Sequence, residues 1–301
     1  MGHRDEEMTA LSQSLVVEIA GSIGFRNSPL AQRIVWPIFR PVTDRLARIG
    51  VTFDRNVAQH GFAQAMGFAL QDFVHTVTAR GTEGFPPQGP LLLVSNHPGT
   101  YDSLIIASQL RRDDLCIISG DIPFLKKLPR ANEHFFFLAN DPQGRAIAAR
   151  KAIRHLKRGG AVLIYGFGHI DPDPAVYEDA SAYLDRWSPS IDLFLRTVPE
   201  ANTLIAIVSH VVSPRWRHSP LYHLRRDLLD RRRLVEFGQV MTQLGFSGTF
   251  RQSPFISFAR PMNVETLHRE SQGKRLLPAV IARGKALLAE HTSWVNTLRE
   301  Q

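Results

Sequence analysis

Short apolar runs alternate with segments of helical spacing along the middle of the chain. Apolar runs of this length, bounded by turn residues, are typical of buried strands, whereas apolar residues three or four positions apart indicate a helix. The predicted strands are residues 91–94, 115–118, 135–139, 161–165, 203–212 and 255–262. The predicted helices between them are residues 103–110 and 144–158, the second with Asp141 as N-cap, Pro142 in its first turn and Gly159-Gly160 at its end. This alternation predicts an α/β domain.

The first 82 residues have a different pattern. Large apolar residues and arginines share the segment 30–49, and residues 57–77 have the composition of a partner helix. We therefore predict an N-terminal amphipathic helical pair in residues 1–82, which either covers the core or lies in a lipid interface.

A proline- and glycine-rich stretch separates this pair from the rest of the chain. Residues 81–89 are predicted to form a linker into an α/β domain over residues 83–301. That domain is predicted to end in a long helix at residues 275–298.

The candidate chemistry follows the first predicted strand. Residues 91–94 run into Asn96-His97-Pro98-Gly99-Thr100-Tyr101-Asp102, where the Pro-Gly pair predicts a turn. An imidazole can remove a proton from an alcohol, and a carboxylate can fix its tautomer and stabilise the imidazolium. His97 and Asp102 have the residue types for this general-base chemistry. The alternative is an ordinary loop histidine followed by a helix-capping aspartate.

An Asn-His-x-x-x-x-Asp sequence after a strand resembles the first motif of the glycerol-phosphate and lysophosphatidate (PlsC-like) acyltransferase family. The order of predicted elements is also similar to that family over about residues 85–265. The resemblance implies a mixed central sheet flanked by helices. It also implies transfer of a fatty acyl group from acyl-CoA or acyl-carrier protein to a hydroxyl of a lipid or glycerol-phosphate-like acceptor. His97 would be the base and Asp102 would orient it, with no cofactor and no metal beyond the thioester donor.

The later motifs depart from the family pattern. Its third motif, Phe-Pro-Glu-Gly, aligns with Tyr165-Gly166-Phe167-Gly168, so a phenylalanine replaces the glutamate. The arginine of the second motif is replaced by Asn140 or Asp141, and Ser209 stands where the fourth motif usually has proline. We infer that the acceptor has changed or is held by other residues.

Several residues are candidates for substrate contacts. The first and third motifs and the following loop supply Asn96, Thr100, Tyr165, Gly166, Phe167, Gly168 and His169. Lys126, Lys127, Arg130 and Arg145 are candidates for an anionic group, and each also fits a solvated surface. Backbone N–H groups in 98–101 or 166–168 are expected to stabilise a tetrahedral oxyanion.

Charge and composition narrow the partners. Lysine and arginine number 36 against 28 acidic residues, giving a net charge of +8, which favours anionic partners such as a phospholipid membrane surface, coenzyme A phosphates or an acidic carrier protein. Nucleic acid is disfavoured because no reader motif is present. Residues 221–234 predict a basic amphipathic helix, suited either to an anionic membrane or to plain solvent exposure.

Other observations bear on compartment and competing chemistry. The single cysteine, Cys116, lies in an apolar run and is predicted to be buried, and no secretory signal or long apolar span is visible. We expect a cytoplasmic protein associated peripherally with membranes. His169, Asp171, Asp173 and His210 could suggest metal ligands, but the two prolines between and after the aspartates favour an extended loop. No Gly-x-Ser-x-Gly serine-hydrolase motif is present.

Two further interpretations stay open at this point. A catalytically inactive lipid-binding or scaffold protein on the same fold is favoured by Phe167, whereas the enzyme is favoured by the retained His97 and Asp102. The acceptor could also present an amine or a sugar hydroxyl on a lipid without glycerol.

Overall fold

The computed structural model describes residues 8, 11–15, 29–139, 141–246, 250–273 and 275–300. Its centre is a seven-stranded sheet with the order β1-β7-β6-β2-β5-β3-β4. The strands are β1 (Thr78–Arg80), β2 (Leu91–Ser95), β3 (Leu115–Gly120), β4 (Phe135–Leu138), β5 (Ala161–Tyr165), β6 (Asn202–Ser209) and β7 (Phe255–Phe258). All neighbouring strands are parallel except β6 and β7, which are antiparallel. The mixed sheet implied by the family resemblance is therefore confirmed.

Helices flank this sheet. They are α1 (Pro29–His60), α2 (Phe62–Leu70), α3 (Asp102–Leu110), α4 (Pro123–Lys126), α5 (Pro142–Lys157), α6 (Ala180–Leu184), α7 (Ser190–Thr197), α8 (Leu228–Gly245), α9 (Val264–Glu270) and α10 (Leu277–Arg299). Short 3-10 turns lie at Ala131–His134, Pro214–His218 and Pro220–His223. The capping prediction for α5 is confirmed, because the Asp141 carboxylate accepts a 2.8 Å hydrogen bond from the N–H of Gly144.

Two strands are shorter than predicted. The strand predicted over 203–212 ends at Ser209 because His210 turns the chain with a φ of 59°. The N–H groups of residues 210–212 then donate to the Asp173 carboxylate instead of to a neighbouring strand. Similarly, the strand predicted over 255–262 ends at Phe258.

The predicted boundary between the two N-terminal helices is wrong. The first helix continues to His60, through Pro37 and Pro41, and the break falls at Gly61. Gly61 has a φ of 84°, and a Cβ there would lie 2.5 Å from the Asp113 carboxylate, so only glycine fits this turn. The second helix ends at Leu70, and the chain then forms β1 beside β7. The side chains of residues 29–36 and 38, part of the predicted amphipathic pattern, lie outside the described residues.

The basic segment is also less helical than predicted. Its helix begins only at Leu228, because Asp227 is the N-cap and its carboxylate accepts hydrogen bonds from Leu229 and Asp230 N–H. Residues Pro220–His223 form a 3-10 turn before it.

The cysteine and the helix lengths bear on two of the predictions made from the sequence. Cys116 is buried as predicted, and burial raises the pKa of its thiol to about 12. In the described ranges, every helix is too short or too polar to cross a bilayer.

A buried guanidinium fastens the linker to the sheet. Arg112 is 4% exposed and donates to the carbonyls of Pro86, Gly89 and Gly159 while it pairs with Asp114. These bonds satisfy carbonyl groups of loops that have no strand partner.

We predict that Arg112→Met lowers the free energy of unfolding by about 3 kcal/mol, because several charge-assisted hydrogen bonds are lost at once. Urea denaturation measures this difference. The exposed neighbour Arg111→Gln is the control and should change stability by less than about 0.5 kcal/mol. Equal stability of the two variants would contradict the role given to Arg112.

Candidate active site

The His97–Asp102 pair occupies the turn between β2 and α3. β2 is central, with β5 and β6 parallel to it on either side, so this turn lies at the carboxyl ends of three adjacent strands. In open α/β sheets this edge forms the ligand crevice. Asp102 is the first residue of α3 and points its carboxylate back toward the turn, where it accepts a bond from the N–H of Gly99.

The two side chains contact each other directly. His97 Nδ1 lies 2.7 Å from Asp102 Oδ2, and the carboxylate is fully buried while the imidazole is 23% exposed. An ionised carboxylate only accepts hydrogen bonds, so the proton of a neutral imidazole belongs on Nδ1. The lone pair is then on Nε2, which has no hydrogen-bond partner among the described residues.

Tyr165 supports both members of the pair. Its hydroxyl donates to Asp102 Oδ1 at 2.5 Å, and its ring stacks on the imidazole with centroids 3.9 Å apart and planes 12° from parallel. Tyr165 ends β5, so the pairing of β5 with β2 sets where the base can lie. The sequence identified Tyr165 only through the family's third motif; it gave no sign of the contact with Asp102.

The surroundings of His97 raise the pKa of its imidazole. Burial lowers the pKa of His97, but the charge and hydrogen bond of Asp102 outweigh this, and the net pKa lies above its ordinary value of 6.5. The carboxylates of Asp171 and Glu236 add to the upward shift.

Buried carboxylates from distant segments hold the backbone of the turn. Asp171 Oδ1 accepts from His97 N–H at 2.9 Å, and the Asp171 N–H donates back to the His97 carbonyl. Glu236, on α8, accepts from Thr100 N–H at 2.7 Å. Tyr101, the next residue after Thr100, donates its hydroxyl to the Val211 carbonyl at 2.6 Å.

The candidate metal ligands have other roles. Asp171 bonds the His97 backbone and Asp173 bonds the N–H groups of residues 175 and 210–212. Burial raises the pKa of Asp171 to about 7 and that of Asp173 to about 6. In the described part of the chain, no three His, Cys, Asp or Glu residues are placed to hold a metal ion.

Two cavities meet at His97. The first, of about 370 Å³, extends among α1, α2, α3, β3 and α4, and no Asp, Glu, Lys or Arg side chain of the described residues lines it. The second, of about 470 Å³, is more polar and includes Arg145, His169 and Arg233. Besides His97, the two share Ser119, Ile122, Tyr165 and Ile170. His97 thus faces an apolar space on one side and a cationic one on the other.

The structure places some predicted substrate residues at these cavities. Thr100 lines the apolar cavity, and Tyr165 lines both. Arg145, Gly168 and His169 line the cationic cavity. Arg233, from the basic segment, lies there as well, although its sequence context gave no reason to place it near His97.

Other predicted residues lie elsewhere. Asn96 is buried, and its amide exchanges 2.8 Å hydrogen bonds with both backbone groups of Val208, joining β2 to β6. Gly166 packs against Trp187, and Phe167 lies beneath the Arg186 guanidinium. These contacts position the sheet and its loop; none of the three residues lines either cavity described above.

The predicted cationic cluster of the second-motif region lies away from the pair. Lys126 pairs with Asp121 and faces the ring of Phe137. Lys127 is exposed, and the Arg130 N–H donates to Asp54. None of these three basic residues lines the two cavities at His97. Asn140, one of the two positions aligned with the missing arginine, lies outside the described residues.

The expected oxyanion donors are largely occupied. The N–H groups of Gly99 and Thr100 donate to Asp102 and Glu236. Those of Gly166 and Gly168 donate to the carbonyls of Ser95 and Tyr165. For these four residues the expectation is wrong, because the same N–H groups already fix the two turns.

We predict opposite shifts of the His97 pKa in two variants. Asp102→Asn removes the charge that offsets burial, so the pKa of His97 should fall relative to wild type. Tyr165→Phe removes a donor that spreads the carboxylate charge, so the pKa should rise further. NMR titration of the imidazole measures both, with the exposed His75 as internal reference. Shifts in the same direction would show that the contacts do not set the pKa.

Comparison with known proteins bears on these observations. Residues 76–176 match the family model described as Acyltransferase. A search of curated proteins gave no match. Among solved structures, the chain is similar to the crystal structure of the 1-acyl-sn-glycerophosphate (LPA) acyltransferase, PlsC, from Thermotoga maritima. The identity is 15%, the TM-score is 0.42, and the similarity covers 94% of this chain and 93% of that chain. Over residues 76–176, which run from β1 to beyond β5 and contain His97 and Asp102, the family model confirms the acyltransferase resemblance predicted from the sequence.

Proposed function

We propose that the protein transfers a fatty acyl group from a thioester to a hydroxyl of a lipid or glycerol-phosphate-like acceptor, with His97 as general base. The observation that carries the proposal is the place of His97 between an apolar and a cationic cavity. A base at such a junction can reach an acceptor hydroxyl on one side and an acyl carbonyl on the other.

The apolar cavity suits the acyl chain. Its volume of about 370 Å³ lies within the usual range of ligand pockets, and burial of each methylene there contributes about 0.8 kcal/mol. The thioester carbonyl would then lie at the His97 end, beside Tyr165.

The proposed reaction balances through one proton. His97 Nε2 takes the proton of the acceptor hydroxyl as its oxygen attacks the thioester carbonyl carbon. The tetrahedral intermediate then breaks its C–S bond, and the imidazolium returns the proton to the departing sulfur. Asp102 stays ionised and stabilises the imidazolium. The products are an oxygen ester and a thiol, either coenzyme A or acyl-carrier protein, with no cofactor.

The cationic cavity suits an anionic acceptor group. Arg145 comes from α5 and Arg233 from α8, so the two guanidinium groups come from separate helices. Guanidinium groups bind phosphate in a bidentate manner. These residues would take over from the motif arginine and glutamate that the chain lacks.

We predict that His97→Ala lowers the rate of acceptor-dependent thiol release by about 10² to 10⁴, because the base is lost. A thiol-reactive dye measures release from acyl-CoA or acyl-carrier protein. His75→Ala removes an exposed histidine and should retain the wild-type rate. If His97→Ala turned over normally, the mechanism would be wrong. If neither wild type nor His75→Ala released thiol but both bound lysolipid, the lipid-binding alternative would stand.

We predict that Ala69→Phe shortens the range of accepted acyl chains. Ala69 lines the apolar cavity, so a larger side chain there takes space from the chain. For each acyl methylene that no longer fits in the cavity, kcat/KM should fall about fourfold. Substrates with short acyl chains should react as in wild type. Ala149→Phe is the matched control. Ala149 lines the cationic cavity and not the apolar one, so this variant should keep the wild-type chain-length profile. An unchanged chain-length profile in Ala69→Phe would remove the acyl chain from this cavity.

A further inference from the structure

The surface before α8 combines exposed arginines with exposed leucines. We define the arginine–leucine surface as Arg215, Leu224, Arg226 and Leu228, and we propose that it docks the protein on a bilayer that contains anionic phospholipid. The four residues belong to one stretch of chain that contains two 3-10 turns and the start of α8.

Two leucines of this surface are exposed to solvent. Leu224 is 64% exposed and Leu228 is 40% exposed, and the exposed Arg226 lies between them in the sequence. Four residues of chain span at most about 14 Å, so both leucines can enter the same patch of a bilayer. An apolar side chain beside a cation is the pattern of an interfacial segment.

The inner side of this segment is fastened to the rest of the protein. Trp216 and Leu221 pack against Gly238 of α8, where a Cβ would lie 2.4 Å from Leu221. The Arg217 guanidinium donates to the Val176 carbonyl. The exposed side chains therefore belong to a fixed surface.

Four of the five other arginines of the segment have internal partners. Arg232 pairs with Asp179 and lies over the Tyr177 ring, and Arg231 lies over Tyr222. In the described parts of the chain, Arg215 and Arg226 have neither an ion pair nor a ring contact. Their charge is available to an external anion.

The local charge identifies the chemistry of the partner. Residues 214–233 contain seven arginines and two aspartates, a net charge of +5. This excess attracts the anionic phosphates at a membrane surface. An acidic protein would also match the charge, and the vesicle experiment includes it as an outcome; the second feature to be matched is the pair of exposed leucines on either side of Arg226. Acyl chains beneath a layer of phosphates match both features.

One helix links the arginine–leucine surface to the cationic cavity. α8 begins at Leu228 and brings Arg233 to that cavity five residues later. Burial lowers the pKa of His169 there, and the charges of Arg233 and Arg186 lower it further, which shows a positive field at the same place. An anionic lipid could therefore move from the bilayer toward His97, a step that rests on the proposed function, although docking itself does not.

Flotation with vesicles tests the docking. The full chain is mixed with vesicles of phosphatidylcholine alone or with about 30% phosphatidylglycerol, without acyl donor or acceptor. We expect binding to the anionic vesicles that weakens as salt rises. Arg215→Gln/Arg226→Gln should bind them about thirtyfold less tightly. Leu224→Ser/Leu228→Ser should lose at least about tenfold.

A matched control distinguishes the effect of this surface on vesicle binding from the effect of the protein's net charge. Arg150→Gln/Arg154→Gln removes two equally exposed arginines from α5 and should bind within about twofold of wild type. Circular dichroism and thermal melting confirm that each variant is folded. All variants should keep wild-type turnover of short-chain, water-soluble substrates.

Three results would overturn the proposal. Wild-type binding by both surface variants would show that docking lies elsewhere, and equal weakening of the control would reduce the effect to total charge. Loss of acyl-carrier-protein capture in Arg215→Gln/Arg226→Gln, with vesicle binding unchanged, would assign the surface to a protein partner. If acyl transfer fails but vesicle binding follows the expected order, the proposed function is wrong and the docking surface stands.

Discussion

The site depends on one fully buried carboxylate. Burying a charge is costly unless it is hydrogen-bonded, and Asp102 has the Tyr165 hydroxyl, the His97 ring and the Gly99 N–H as partners. It also begins α3, where the helix dipole stabilises negative charge. These contacts tie a strand end, a turn and a helix together, so the orientation of the imidazole is a property of the β2–β5 pairing and of α3.

The turn around the base obeys a second constraint, which is that buried backbone groups need partners. Loops cannot supply a ladder of hydrogen bonds, and here carboxylates from other elements replace it. Asp171 serves His97, Glu236 serves Thr100, and Asp173 serves the chain after β6. Burial raises the pKa of each of these three carboxyls, which is the cost of using them this way. Placement of the base thus rests on carboxylates that line neither of the two cavities at His97.

Local signals in the sequence were enough to outline strands β2 to β7, whereas β1 was not predicted. Apolar runs give the strands, and Asp141-Pro142 gives the start of α5, because these features act within a few residues. The break at Gly61 was not predicted, since it depends on a contact with Asp113, about fifty residues away. Asp171 was considered as a metal ligand from its sequence neighbourhood. Its actual partner, the His97 backbone, is 74 positions away and could not be seen in that neighbourhood. Contacts of such separation leave no mark in a single sequence.

Position 167 carries phenylalanine where the family that the sequence resembles has glutamate. Phe167 takes its place and lies 4.5 Å from the Arg186 guanidinium, with its ring edge-on to Tyr183. An anion is thereby replaced by an aromatic surface that holds a cation. The neighbouring cavity is lined by Arg145 of α5 and Arg233 of α8. Under the proposed function, an anionic acceptor group would contact arginines of two separate helices, Arg145 of α5 and Arg233 of α8, and only α8 begins at the arginine–leucine surface.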